Sequence, residues 1–122
     1  MRKHREDKLF DKYPTLYQRS KMPSGFECGN GWYEIIYIFS RNVTTLTDKC
    51  KVLSIKEKDG KIDINLEIAG PYNEEVVDKV LEYVKKTRHR SLRTCEYCGR
   101  TSGIFQTTGK IVTICKRCFK RL

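Results

Sequence analysis

Histidine is nearly missing from this chain. His4 and His89 are the only two, and both stand among basic residues, where exposed cations are expected rather than a general base or a metal ligand. Phosphate-binding loops, nucleophile elbows and His-Glu metal signatures are absent as well, which makes an enzyme the weakest of the functional classes. No apolar run approaches the ~20 residues that span a bilayer. The charged start, Met1-Arg-Lys-His-Arg-Glu-Asp7, has no apolar stretch behind it and does not read as a secretory signal. A soluble protein of the reducing cytosol is therefore expected, with no membrane partner. Beyond residue 84 acidic residues are also lacking, with Glu96 the sole exception.

What replaces them is base. Residues 1–84 hold 14 Lys/Arg and 14 Asp/Glu, so the net charge of +10 comes from the rest of the chain. Lys85, Lys86, Arg88, Arg90, Arg93, Arg100, Lys110, Lys116, Arg117, Lys120 and Arg121 form one block of like charge. Such a block repels itself and is more easily tolerated when an anionic surface screens it. A solvated face that aids solubility is the plain alternative. These eleven are the candidate partner or nucleic-acid-binding residues.

Six cysteines occur, and four are paired in space along the chain: Cys95-Glu-Tyr-Cys98, sixteen residues, then Cys115-Lys-Arg-Cys118. Two Cys-x-x-Cys pairs at that separation match a structural zinc site. Four sulfur ligands suit tetrahedral Zn²⁺ and exclude metals that prefer oxygen, with four-thiolate iron as the alternative ion and two disulfides or four unrelated buried thiols as the alternatives to a metal. A site with four protein ligands leaves no position for water or substrate, so one structural zinc per chain is expected to fold the ribbon and not to catalyse. Between the pairs, Ile104 and Phe105, a Thr107-Thr108-Gly109-Lys110 turn, and Ile111, Val112 and Ile114 predict a hairpin. Gly99 supplies the φ that the knuckle turn after Cys98 needs. Cys28 and Cys50 stand alone and read as buried thiols.

The remainder predicts an α+β fold: two helices packed on a β-hairpin sheet, with the zinc ribbon at the C-terminal end. The expected division is an α+β domain with an N-terminal arm over 1–90 and the basic ribbon over 91–122. Arg2–Lys12 reads as a short surface helix or an arm, broken at Tyr13-Pro14, with one more helical turn over Thr15–Ser20. Asn30 is the predicted N-cap of a helix whose stripe is Trp32, Ile35, Ile36, Phe39, Val43 and Leu46, although its β-branched and aromatic content would also suit a strand. Trp32 is expected to anchor the core there, with a base-stacking platform as the alternative role. Asp59-Gly60 predicts a type I′ turn that sets Ile55 opposite Ile64, Leu53 opposite Leu66, and Lys56 opposite Asp63 as an ion pair. Asn73 is the predicted cap of a second helix with stripe Val76, Val77, Val80, Leu81 and Val84. Two strands alone are marginal, so a third is expected from Phe26–Cys28 or from a second chain.

Tyr13-Pro14, Cys28-Gly29-Asn30-Gly31-Trp32 and Cys95-Glu96-Tyr97-Cys98-Gly99 with the closing Cys-x-x-Cys resemble a family of small phage and prophage zinc-ribbon proteins. The similarity covers most of the chain, while Gly60–Asn65 departs from the Gly-x-Leu-Arg-Phe-Tyr-like strand such proteins often carry. One zinc-bearing type of anti-CRISPR protein acting on Cas9 is similar in scale and layout. The resemblance implies a protein of the host-cell cytoplasm that inhibits a host defence nuclease, Cas9-like, by binding it and interfering with nucleic-acid loading. The basic block, taken by itself, favours sequence-independent binding of DNA or RNA.

Overall fold

The computed structural model describes residues Met1–Leu122. Helix α1 (Lys3–Lys12) leads to a short strand β1 (Phe26–Glu27), a 3₁₀ turn at Asn30–Trp32 and helix α2 (Tyr33–Leu46). Strands β2 (Cys50–Lys58) and β3 (Lys61–Ile68) and helix α3 (Glu74–Ser91) follow, and the chain closes with β4 (Ile104–Gln106), β5 (Thr113–Cys115) and helix α4 (Lys116–Phe119). One sheet has the order β1-β2-β3, and the second consists of β4 and β5 alone. No helix is long and apolar enough to cross a membrane.

The α2 stripe behaves as its periodicity demands. Trp32, Ile35, Ile36, Phe39 and Val43 are buried, and Leu46 is partly so. Ser40 lies on the same face and is fully buried, which its hydroxyl tolerates by donating to the Ile36 carbonyl at 2.6 Å and accepting from Tyr17 Oη at 2.5 Å. Asn30 does not cap this helix. Gly29 precedes the 3₁₀ turn and no side chain caps its N-terminus; the backbone there is occupied by the ribbon instead, as described below.

Asp59 and Gly60 both adopt positive φ, +52° and +80°, as a type I′ turn requires. Ile55 pairs with Ile64 and Lys56 with Asp63, as expected, but Lys56 and Asp63 form no ion pair. Leu53 does not face Leu66, because a bulge between Val52 and Ser54 shifts the register and sets Val52 opposite Leu66. The reason is packing. Val52 and Ile55 are three residues apart, so a regular strand would point them to opposite faces; the extra residue turns both inward, where each is fully buried.

The third strand is β1, which pairs parallel to β2 through Phe26–Ile55 and Glu27–Lys56. Tyr17 adds an isolated bridge to Val52, which breaks the helical turn expected over Thr15–Ser20 into two separate turns, Pro14–Leu16 and Arg19–Lys21. Of the two alternatives for Arg2–Lys12, the helix is found. Leu9 and Phe10 are buried, and the Phe10 ring lies 5.4 Å from that of Phe26.

Asn73 caps α3 as predicted, its Oδ1 accepting from the amides of Glu75 and Val76. Val80 and Val84 are buried against the sheet and α2, but Leu81 lies one step off that face and is 52% exposed. Replacing Trp32 by Ala should therefore cost about 3–5 kcal/mol, as for other fully buried aromatics. Leu81→Ala should stay within about 0.5 kcal/mol. Urea denaturation of the two variants checks both values, and equal losses would mean that the burial of α3 is misassigned.

Candidate metal centre

Cys95 follows α3, Cys98 lies in the tight turn after it, Cys115 ends β5, and Cys118 sits in α4. Gly99 has φ +82°, and its amide donates to the Cys95 carbonyl at 2.9 Å while the Cys95 amide donates to Arg100 O at 2.8 Å. That knuckle folds the first pair. The second pair is folded by α4, where Cys115 Sγ accepts from the amide of Cys118 at 3.4 Å. The hairpin between them closes through Thr107, whose amide donates to Val112 O and whose hydroxyl accepts from the Val112 amide.

The four sulfur atoms all lie within 4.8 Å of one another. Cys98 and Cys115 Sγ are 3.7 Å apart, close to the edge of about 3.8 Å that four Zn–S bonds of ~2.3 Å give a regular tetrahedron. The same distance is far beyond the ~2.05 Å of a disulfide, and all six cysteines are free thiols. The arrangement can hold a metal ion in a closed four-sulfur shell. Hydrogen bonding from the Cys118 amide pulls the Cys115 thiol down to about 7, while desolvation pushes Cys118 up to about 12 and raises Cys98. Four thiolates this close would repel one another, and a divalent ion would supply the charge that offsets it.

Cys28 and Cys50 are of another kind. Burial pushes their thiols up to about 12 and about 11, leaving them neutral and inert.

Around the sulfurs the apolar cluster contains only Cys95, Ile114 and Cys115 as buried members, with four partly buried neighbours. The ribbon is held to the rest of the molecule by polar contacts made at close range. Gly31 N donates to Glu96 O at 2.7 Å, Gly29 N donates to Glu96 Oε2 at 2.9 Å, and Trp32 Nε1 donates to Thr94 O at 2.9 Å. A second contact joins the β2–β3 turn to β5, with Thr113 Oγ1 donating to Gly60 O at 2.5 Å. Glycine at position 31 is required by proximity: a Cβ there would stand 2.2 Å from Cys95 O and 2.5 Å from Gly99 N, both backbone atoms.

Ten of the eleven basic side chains are exposed, and Arg88 is half-buried. Only Lys86 has an ion-pair partner, Glu82 at 3.0 Å. Arg100, Arg117 and Arg121 line one shallow cleft of about 500 Å³ beside Cys98, and Arg100, Lys116, Arg117 and Lys120 line an adjoining one of about 360 Å³. Arg90 and Arg93 border a larger cleft of about 730 Å³ on the other side of the knuckle. Lys85, Lys86, Arg88 and Lys110 join none of these. Two further residues belong to the site without having shown it in the sequence. Arg5, carried in by α1, reaches the larger cleft. Glu96 turns inward to the Gly29 amide, and burial raises its carboxyl above the ordinary range.

No family model, curated protein or solved structure matches the chain.

Metal analysis of purified protein should find one ion per chain. Cys118→Ser should lose it and remove hydrogen-exchange protection over 94–119, whereas alkylation of the metal-loaded protein should leave Cys28 and Cys50 untouched. A metal-free protein with unchanged protection would refute the four-sulfur centre.

The seam between ribbon and body is tested separately. Gly31→Ala should destabilise by roughly 2 kcal/mol or more, because three backbone atoms must move, yet keep its metal. Glu96 has a raised folded-state pKa, so its ionisation opposes folding: its contribution is best below that pKa and declines as pH rises through it. Glu96→Gln keeps the acceptor without the charge and should be no less stable than the parent at neutral pH. Glu96→Ala strands the Gly29 amide at a cost of about 1–3 kcal/mol, and thermal melts across pH 4–8 separate the three.

Proposed function

We infer that the protein is a non-enzymatic, zinc-folded binding protein of the cytosol, and that its ribbon presents a basic face to the sugar-phosphate backbone of nucleic acid. Zinc is chosen over iron because a tetrahedral four-thiolate site with a Cys-x-x-Cys pair at each end serves a purely structural ion, for which Zn²⁺ has neither redox chemistry nor a geometric preference to satisfy. A closed shell of this kind supports a folding role.

The observation that carries the functional reading is unpaired charge. Ten of eleven basic side chains in residues 85–122 have no carboxylate partner, and the single acid of that stretch is folded inward. Arg100, Lys116, Arg117, Lys120 and Arg121 share adjoining clefts around α4. An array of cations left without intramolecular partners favours a polyanion, since each phosphate neutralised releases counterions.

A second reading is that of a phage-type inhibitor that binds a Cas9-like host defence nuclease and interferes with its nucleic-acid loading. Its support is the resemblance, together with the packing of two of the resembling motifs, Gly29–Trp32 and Cys95–Gly99, into one unit. On this reading the same face docks on an acidic protein surface or in the nuclease's channel.

Salt dependence separates the two. Binding to duplex DNA should weaken linearly in log-log against salt, with a slope of about −0.9 per phosphate contacted. The triple variant Arg117→Ala/Lys120→Ala/Arg121→Ala should lessen that slope by about one per lost contact. Negligible affinity for any nucleic acid, with a nuclease recovered from bacterial lysate even after DNase and RNase treatment, would favour the inhibitor. In that case the triple variant should chiefly slow association.

A further inference from the structure

The knuckle carries a feature that phosphate binding does not use. Tyr97, between two metal ligands, is a large aromatic left 48% exposed, and it forms one wall of the 730 Å³ cleft between the ribbon and the start of α2. Ile35 and Ile38 add apolar lining, Arg5, Arg90 and Arg93 add three guanidinium groups, and Glu34 is the only carboxylate. None of these four charged groups is in a salt bridge. Arg5 is held in place by Asn30 O at 3.4 Å and by the Tyr33 ring, 4.8 Å away. The cleft falls within the ~300–1,000 Å³ range of sites that take small molecules, and it exists only because the ribbon docks on α2.

We propose that this cleft receives an unpaired nucleotide of single-stranded nucleic acid, its base against Tyr97 and the isoleucines and its phosphates on Arg90 and Arg93. This deepens the nucleic-acid reading and rests on it. Two properties of the cleft and one of the duplex select that ligand. An aromatic wall beside apolar lining offers a stacking platform, and every base has a π-face to lay on it. In a duplex those faces are already stacked inside the helix, so only an unpaired base can reach the platform. The side chain of Glu34 brings acceptor oxygens, which suit the exocyclic amines of adenine, cytosine or guanine better than the carbonyl edges of uracil or thymine.

The cleft also has an outlet. It shares Cys98 and Gly99 with the shallow cleft lined by Arg100, Arg117 and Arg121. A strand whose base is held at Tyr97 can thus pass over the knuckle and continue its backbone onto the basic face. The ribbon cations supply affinity for any polyanion, and the cleft adds a preference for strands with free bases.

Fluorescence anisotropy of the metal-loaded full chain with a labelled oligonucleotide of about twelve residues, alone and annealed to its complement, tests this. The single strand should bind about 10-fold more tightly or better at physiological salt, and Tyr97→Ala should weaken single-strand binding by roughly 5- to 150-fold while leaving duplex affinity unchanged. Tyr97→Phe should restore it, since a phenyl ring still stacks. Because Tyr97 sits between ligands, metal content is measured on each variant, and Arg90→Ala/Arg93→Ala, away from the sulfurs, should lower single-strand affinity and its salt slope without metal loss. Equal binding of single strand and duplex, or a metal-replete Tyr97→Ala that binds single strands as the parent does, overturns the cleft assignment and leaves the ribbon reading standing. Failure to bind either form overturns both.

Discussion

The close approach of the Gly29–Gly31 backbone to the Cys95–Glu96 backbone is the constraint on which the molecule turns. Two amides on one side meet a carbonyl and a carboxylate on the other, and the absence of a side chain at position 31 lets the peptide planes come within hydrogen-bonding range. Next to it the Trp32 indole spends its single donor on Thr94 O. Trp32 is wholly buried in the main core, so the same residue that anchors α2 also fastens the start of the ribbon. Had the ribbon failed to fold, that donor and the glycine amides would be left seeking partners at the end of α2.

The four-sulfur centre and the core therefore depend on each other. Three buried residues cannot hold a ribbon together, and a structural zinc at the four sulfurs, as proposed, would be worth roughly 10–16 kcal/mol at neutral pH. Some of that free energy would reach the body through the seam. The body in turn supplies a preformed surface, ending in Gly60 O for Thr113 and in the 3₁₀ turn for Glu96, against which the knuckle is ordered. Helix α3 conveys the polarity of the arrangement. Glu74 and Glu75 lie in its first turn and Arg88, His89 and Arg90 in its last, as the helix dipole prefers, so its basic end arrives beside the ribbon. With Glu96 withdrawn into the seam, nothing acidic remains among residues 85–122 to neutralise that end locally.

The sequence by itself determined what depends on neighbours along the chain. The paired cysteines, the Asp59-Gly60 turn, the Asn73 cap and the α2 stripe are local patterns, each encoded within a few turns or one loop, and each is found where the pattern sets it. Tertiary structure decided what depends on partners distant in the chain. The bulge at Leu53 follows from the need to bury Val52 and Ile55 together. Asn30 resembles a cap, yet it lies inside the 3₁₀ turn, where Trp32 N donates to Gly29 O and Tyr33 N to Asn30 O, and its own Oδ1 accepts from the Arg2 amide, nearly thirty positions away. Leu81 reads as core but lies off the face of α3 that packs on β3 and α2, and it is left exposed. Glu96 counts as one charge in a composition and becomes a hydrogen-bond acceptor only when a glycine amide is brought to it, while Arg5 becomes part of a cleft only when α1 folds back. Periodicity and spacing carry no record of which residues meet across such separations, since those meetings are settled by shape and by which polar groups would otherwise be buried without a partner.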